Sequence, residues 1–213
     1  MTADAVVVGA GITGAASAYA LAKAGLSVTL VERYAPAAMA SGWTLAGVRQ
    51  SGRHPAELPL AQAAVALWSG LDRELGAATG YAREGNLRLA RTEAELPVIE
   101  ALVEAQRALG LDIRLLRGRE VQEAAPALAP GIPAASLCLS DGYADPAATS
   151  AAYMAALARL GVTVLLRRRV LAITTQAGRV TGVATDAGPI AAAAAVVAAG
   201  AFGNELLALL GLA

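Results

Sequence analysis

The sequence predicts an α/β fold built on a parallel sheet. Three observations predict it: a β-branched run near the N-terminus that ends in glycines, an alanine-rich helical stretch behind it, and a second short apolar run that closes a βαβ unit. The first run is Ala5-Val6-Val7-Val8, short and bounded by glycine, as a strand buried on both faces of a sheet requires. Residues 15–24 are rich in alanine, the residue with the strongest helix propensity, and Gly25 stands at the C′ position where such a helix stops. Ser27-Val28-Thr29-Leu30-Val31 reads as the second strand.

Between the first strand and the helix stands Gly9-Ala10-Gly11-Ile12-Thr13-Gly14, a complete GxGxxG. Gly9 permits a tight turn, Gly11 lets the backbone approach a pyrophosphate, and Gly14 lets the helix pack closely on the sheet. The helix start offers unpaired N–H groups and the positive end of its dipole to phosphates. Glu32 closes the second strand about 20 residues past the glycines, where a carboxylate accepts hydrogen bonds from ribose hydroxyls and repels a 2′-phosphate. Strand, turn, helix, glycine stop and acid in this order predict a dinucleotide site. FAD and NAD both use such a turn, and these residues alone leave both open.

Composition excludes several other classes. The 213 residues carry 17 basic and 17 acidic side chains, so nothing points to a nucleic-acid partner. One cysteine, Cys138, forms no internal disulfide, and with the single histidine, His54, it cannot build a zinc site; no metal is expected. The longest apolar run, 190–202, is about 13 residues against the ~18 a membrane span needs. The chain runs almost at once into a strand with no basic leader, so a soluble, cytoplasmic protein is expected. Arg167-Arg168-Arg169 reads as a solvated strand edge, with phosphate pairing as the alternative.

Further along, Leu60, Ala64, Leu67, Trp68, Leu71 and Leu75 recur at helical spacing and predict an amphipathic helix over 57–76. Leu87 and Leu89 alternate with Arg88 in a half-exposed strand within 81–90. Thr92 and Glu95 have capping-box spacing ahead of Leu96, Ile99, Leu102, Val103 and Leu109, a second amphipathic helix ending near Gly110. Pro126, Pro130 and Pro133 mark a long irregular connection. Asp145-Pro146 is an N-cap and N1 pair for a helix over 147–160, closed by Gly161. Strands over 162–166, 170–175 and 180–185 suggest a meander, and an apolar strand over 190–199 leads to Gly200 and a last helix over 203–210.

The segment GAGITGAASAYALAKAGLSVTLVER (9–33) resembles the extended fingerprint of FAD-dependent oxidoreductases of the D-amino-acid oxidase superfamily, which includes glycine oxidase, sarcosine oxidases and D-amino-acid dehydrogenases. Ser41 to Gln50 resembles the superfamily segment beneath the flavin, 81–90 and 140–149 its passage into and out of an antiparallel sheet, and VVAAGAF (196–202) its strand–Gly–Ala turn near the flavin phosphates. The order of these segments favours FAD, because an NAD dehydrogenase is expected to continue with further parallel βα units. An NAD-dependent dehydrogenase subunit stays as the lesser alternative.

The resemblance implies a Rossmann-like FAD-binding domain (parallel sheet plus β-meander) over 1–80 and 146–213, with part of an antiparallel α+β substrate domain over 81–145. It implies cofactor contacts from Gly9, Ala10, Gly11, Ile12, Thr13, Gly14, Glu32, Arg33, Ser41, Thr44, Ala46, Gly47, Val170 and Gly200. The implied reaction is oxidation of a small amine or amino acid by hydride transfer to the flavin, with no catalytic residue nominated. Arg49, Arg53 and His54 form a polar patch that either faces substrate or is simply solvated. Superfamily members are nearly twice this length, and their further half carries the arginine that clamps the substrate carboxylate. The chain is therefore expected to be an N-terminal portion, needing a partner chain or acting as an FAD-binding module without turnover. Cys138 is expected to be a buried small hydrophobe.

Overall fold

The computed structural model describes residues 2–212. In chain order the elements are β1 (Ala3–Val8), α1 (Ile12–Lys23), β2 (Val28–Val31), β3 (Gly47–Val48), α2 (Leu58–Leu75), β4 (Asn86–Ala90), α3 (Leu96–Ala108), β5 (Arg114–Arg117), α4 (Arg119–Ala124), β6 (Ala134–Cys138), β7 (Gly142–Tyr143), α5 (Pro146–Arg159), β8 (Thr163–Leu165), β9 (Val170–Gln176), β10 (Arg179–Thr185), β11 (Gly188–Val197) and α6 (Gly203–Ala208). They fall into two units: Met1–Leu45, Asp72–Thr79 and Asp145–Ala213 make the first, Ala46–Leu71 and Gly80–Ala144 the second.

The first unit is a six-stranded sheet in the order β8-β2-β1-β11-β10-β9. β1 pairs in parallel with β2 on one side (Val7 opposite Leu30) and with β11 on the other (Val7 opposite Val196). Alternation of side chains along β1 divides the core into two layers. Val6 and Val8 pack with Val31, Ile173 and Val183, while Val7 packs with Leu30, Ala18, Leu157 and Val162. The alanines of α1 therefore serve packing as well as propensity: Gly14, Ala15 and Ala18 are its buried face. A paired C-terminal closure ends α1, with the Gly25 N–H donating to the Ala22 carbonyl and the Leu26 N–H to the Leu21 carbonyl. At the start of α5, Oδ1 of Asp145 accepts the Ala148 N–H at 2.7 Å, the N-cap that the sequence predicts.

The meander differs from the expected one. Its strands are β9, β10 and β11, joined antiparallel. β8, expected as the first of three, instead pairs in parallel with β2 at the opposite edge of the sheet. The Gly161 stop and the short 166–169 stretch allow either placement locally; the free edge of β2 decides it.

The second unit holds the antiparallel sheet β4-β6-β5 and the pair β3-β7. α3 lays Ile99, Val103 and Gln106 inward, and Val103 packs with Leu58, Leu111, Ile113 and Cys138. The interval marked by Pro126, Pro130 and Pro133 holds no helix or strand, as the sequence predicts, and it leads from the end of α4 into the fully bonded central strand β6. Three further expectations need correction. Residues 46–71, expected with the first unit, belong to the second. There β3 pairs with β7, and the buried Asp141 carboxylate accepts the Gln50 N–H at 2.8 Å, the Ser51 N–H at 3.2 Å and the Ser51 hydroxyl. On α2, Leu60 and Leu67 are 77% and 67% exposed, and the inward residues are Leu58, Val65 and Leu75. The Thr92–Glu95 capping box does not form: Glu95 Oε2 accepts from the Arg91 N–H, and a 3₁₀ turn over Glu93–Glu95 separates Thr92 from α3. Among the described residues no helix is long and apolar enough to cross a membrane.

Candidate functional site: a cleft over the glycine turn

Within the first unit a cleft of about 710 Å³ opens at the C-terminal ends of β1, β2 and β11. Ligands of open α/β sheets bind at such a position, because loops diverge there and helix N-termini point inward. Gly9, Gly11 and Thr13 form its floor, Glu32, Arg33 and Ser41 one side, and Val170 and Gly200 the other.

The floor is built by close backbone approach. Gly9 has φ 104°, a left-handed conformation, and a Cβ on it would stand 2.5 Å from the Ala198 carbonyl oxygen of the neighbouring chain segment. A Cβ on Gly14 would collide with the Gly9 carbonyl oxygen. Any side chain at either position pushes the turn off the sheet. Gly11 has an ordinary φ, and its requirement is spatial: a Cβ there would lie 3.0 Å from the Ser41 hydroxyl.

Hydrogen bonds hold the turn in shape. Glu32 Oε2 accepts the Ala10 N–H at 2.7 Å and Oε1 accepts the Tyr34 N–H at 2.8 Å. The carboxylate thus ties the end of β2 to the glycine turn, and each oxygen keeps acceptor capacity for a further donor such as a sugar hydroxyl. Ser41 Oγ accepts the Ile12 N–H at 3.0 Å, and the Ala37 N–H donates to the Ala10 carbonyl at 3.0 Å. The loop after β2 is in this way clamped over the start of α1. Thr13 and Gly14 follow in the first helical turn, whose N–H groups have no carbonyl of their own helix to reach.

The comparisons with known proteins agree with this geometry. A model of the family described as "DAO: FAD dependent oxidoreductase" matches residues 4–213. The chain belongs to this family. The mitochondrial regulatory subunit of pyruvate dehydrogenase phosphatase from Mus musculus is 30% identical over 206 residues, 96% of this chain and 24% of the relative. The sarcosine oxidase subunit beta of Rhodobacter capsulatus is 29% identical over 194 residues, 88% of this chain and 47% of the relative. The glycine oxidase structure from Geobacillus kaustophilus superposes with a TM-score of 0.93 at 28% identity, over 99% of this chain and 59% of that one. The chain spans less than two thirds of each of these relatives.

The cofactor of this DAO family member is FAD. The residues present fit it: a cleft of dinucleotide size, a floor stripped of Cβ atoms, amide donors at the start of α1, and a carboxylate with spare acceptor capacity at the end of β2. Of the positions predicted from sequence, Gly9, Gly11, Thr13, Glu32, Arg33, Ser41, Val170 and Gly200 line the cleft. Ala10, Ile12 and Gly14 shape it through the backbone contacts described above. Thr44 is exposed and lies outside the lining. Ala46 and Gly47 belong to the second unit, where the Ala46 carbonyl accepts the Ala144 N–H and Gly47 pairs with Tyr143.

The cleft also contains Met39, Phe202 and Glu205, which the sequence did not single out, and Arg168 and Arg169, which it read as a solvated edge with phosphate pairing as the alternative. Arg168 and Arg169 arrive through tertiary pairing: the Arg168 N–H donates to the Glu32 carbonyl, and the Arg169 N–H to the Asp186 carboxylate. A signal for Phe202 was present in its position two residues past Gly200.

Proposed function

We propose that this DAO family member oxidises a small amine or amino acid of the glycine, sarcosine or D-amino-acid type. The observation that carries the proposal is the FAD-fitting cleft in a chain that matches the family over residues 4–213. When bound, FAD supplies a two-electron acceptor for a hydride leaving the carbon that bears the amine. The protein's part is to bind and orient. In this reading the Gly9–Gly14 turn and the start of α1 receive the diphosphate, and Glu32 receives the ribose hydroxyls. Ser41, Val170 and Gly200, which line the cleft, complete the cofactor contacts. The first unit acts as the FAD-binding domain and the second as part of a substrate domain.

A second reading is favoured by the mouse relative, which is named a regulatory subunit. In that reading the chain holds FAD and turns nothing over by itself. The purified chain, mixed with excess FAD and desalted, separates these. Retained flavin absorbance followed by bleaching on anaerobic addition of glycine, sarcosine or D-alanine supports the oxidase. Retained absorbance with no bleaching by any small amine supports the binding module. Retention of NAD in place of FAD overturns both.

A further inference from the structure

Arg33 and Phe202 occupy the two sides of the cleft and meet. Arg33 follows Glu32 at the end of β2, while Phe202 sits in the 3₁₀ turn Gly200–Phe202 after β11, and in the sheet order β1 lies between those two strands. The Arg33 guanidinium carbon stands 3.6 Å from the centroid of the Phe202 ring, and 4.8 Å from that of Tyr34. The contact therefore bridges the end of β1, where the glycine turn begins.

Beyond these two rings the guanidinium has no partner among the described residues. Among the described residues its side chain makes no hydrogen bond and no ion pair, although Glu32 and Glu205 line the same cleft. A guanidinium held by its flat face keeps its five N–H donors in the plane of its edge. A half-buried cation without a protein acceptor, fixed at the wall of a cleft, is matched to an anionic ligand.

We propose that Phe202 is a positioning residue that holds Arg33 by cation–π stacking, so that the guanidinium edge clasps the adenosine-diphosphate half of the cofactor. The inference rests on FAD as the ligand of this cleft. The ring must be aromatic for its negative face to hold the cation, so shape alone does not replace it.

The test is FAD affinity, read from quenching of flavin fluorescence on titration of the full chain, with ADP-ribose displacement reporting the adenosine-diphosphate half alone. Arg33→Met and Phe202→Leu are each expected to weaken both ligands by roughly three- to tenfold. Phe202→Tyr, which keeps the ring face, is expected to bind within about twofold of wild type. The double variant Arg33→Met/Phe202→Leu is expected to bind no more weakly than Arg33→Met, because the ring acts through the guanidinium. Wild-type affinity in either single variant, equal weakness of Phe202→Tyr and Phe202→Leu, or additive losses in the double variant would each overturn the clasp. Ligand-free melting curves show whether Phe202→Leu is folded; if it is not, Arg33→Met and Phe202→Tyr still decide. A wild-type chain that retains no FAD defeats the reading of the cleft, and the clasp with it.

Discussion

A single methyl group at Gly14 is enough to dismantle the cleft, because its Cβ would meet the Gly9 carbonyl oxygen, which is backbone and cannot rotate away. Gly14→Ala is therefore expected to lower stability by about 1–3 kcal/mol, the usual range for overpacking, and to weaken FAD binding. Denaturant melts and FAD titration check the two effects. Tyr81 offers the opposite case. Its hydroxyl is buried with no hydrogen-bond partner among the described residues, its ring centroid stands 5.7 Å from that of Trp68, and burial pushes its pKa up. Leaving a buried polar group unsatisfied costs about 1–3 kcal/mol, so Tyr81→Phe is expected to be neutral or to stabilise the chain by up to about that much. A loss of more than about 1 kcal/mol on the same melts, the ordinary worth of a hydrogen bond, would mean that the hydroxyl is bonded in solution.

At the scale of the element, helix starts distinguish what a motif suggests from what the fold uses. Asp145 and Thr92 both look like N-caps in the sequence. Only Asp145 makes the bond, to the Ala148 N–H, while Thr92 makes no side-chain cap bond. Asp145→Ala is expected to cost about 1 kcal/mol and Thr92→Ala close to nothing, and chemical denaturation of both resolves the difference. The tie between α1 and the last turn of α2 behaves differently because it is charged. Lys23 Nζ lies 2.7 Å from Glu74 Oε1, and both groups are largely solvated. The hydrogen bond to Lys23 lowers the Glu74 pKa, and the same bond raises that of Lys23. A depressed carboxylate contributes stability above its unfolded pKa and loses it as pH falls through the folded value. A raised lysine contributes below its unfolded pKa and loses it as pH rises through the folded value. The bond therefore helps across the neutral range and fades at both extremes. Lys23→Met is expected to flatten the acid limb of a stability–pH profile slightly, and more at low salt than at high.

For the molecule as a whole, what was legible in the sequence was what local chemistry determines. The first βαβ unit is readable because its glycines, alanines and closing Glu32 each answer a local demand, and the cleft floor follows from them. The placement of β8 beside β2 was not readable, since a short apolar run carries no mark of the strand it pairs with. Nor were the exposed Leu60 and Leu67, whose spacing fits an inward face as well as the residues that take it. Cleft residues such as Arg168 and Phe202 come from turns far along the chain, and only pairing of the sheet brings them to Glu32 and Arg33. Cys138 was readable as buried, and that burial supplies a probe of global unfolding. It is the only cysteine, it is fully buried in the core with Val103 and Ile113, and burial raises its thiol pKa. Because the raised pKa favours the protonated form in the fold, this contribution to stability is present below the unfolded thiol pKa and lost as pH rises through the folded one. At neutral pH the native thiol is thus both hidden and protonated, and it reacts only through opening of the second unit. Labelling by a thiol-specific chromogenic reagent is expected to be negligible in buffer, to reach one equivalent in denaturant, and to track the denaturation midpoint between. Rapid stoichiometric labelling of the native chain would mean that the core around Val103 and Ile113 is open in solution.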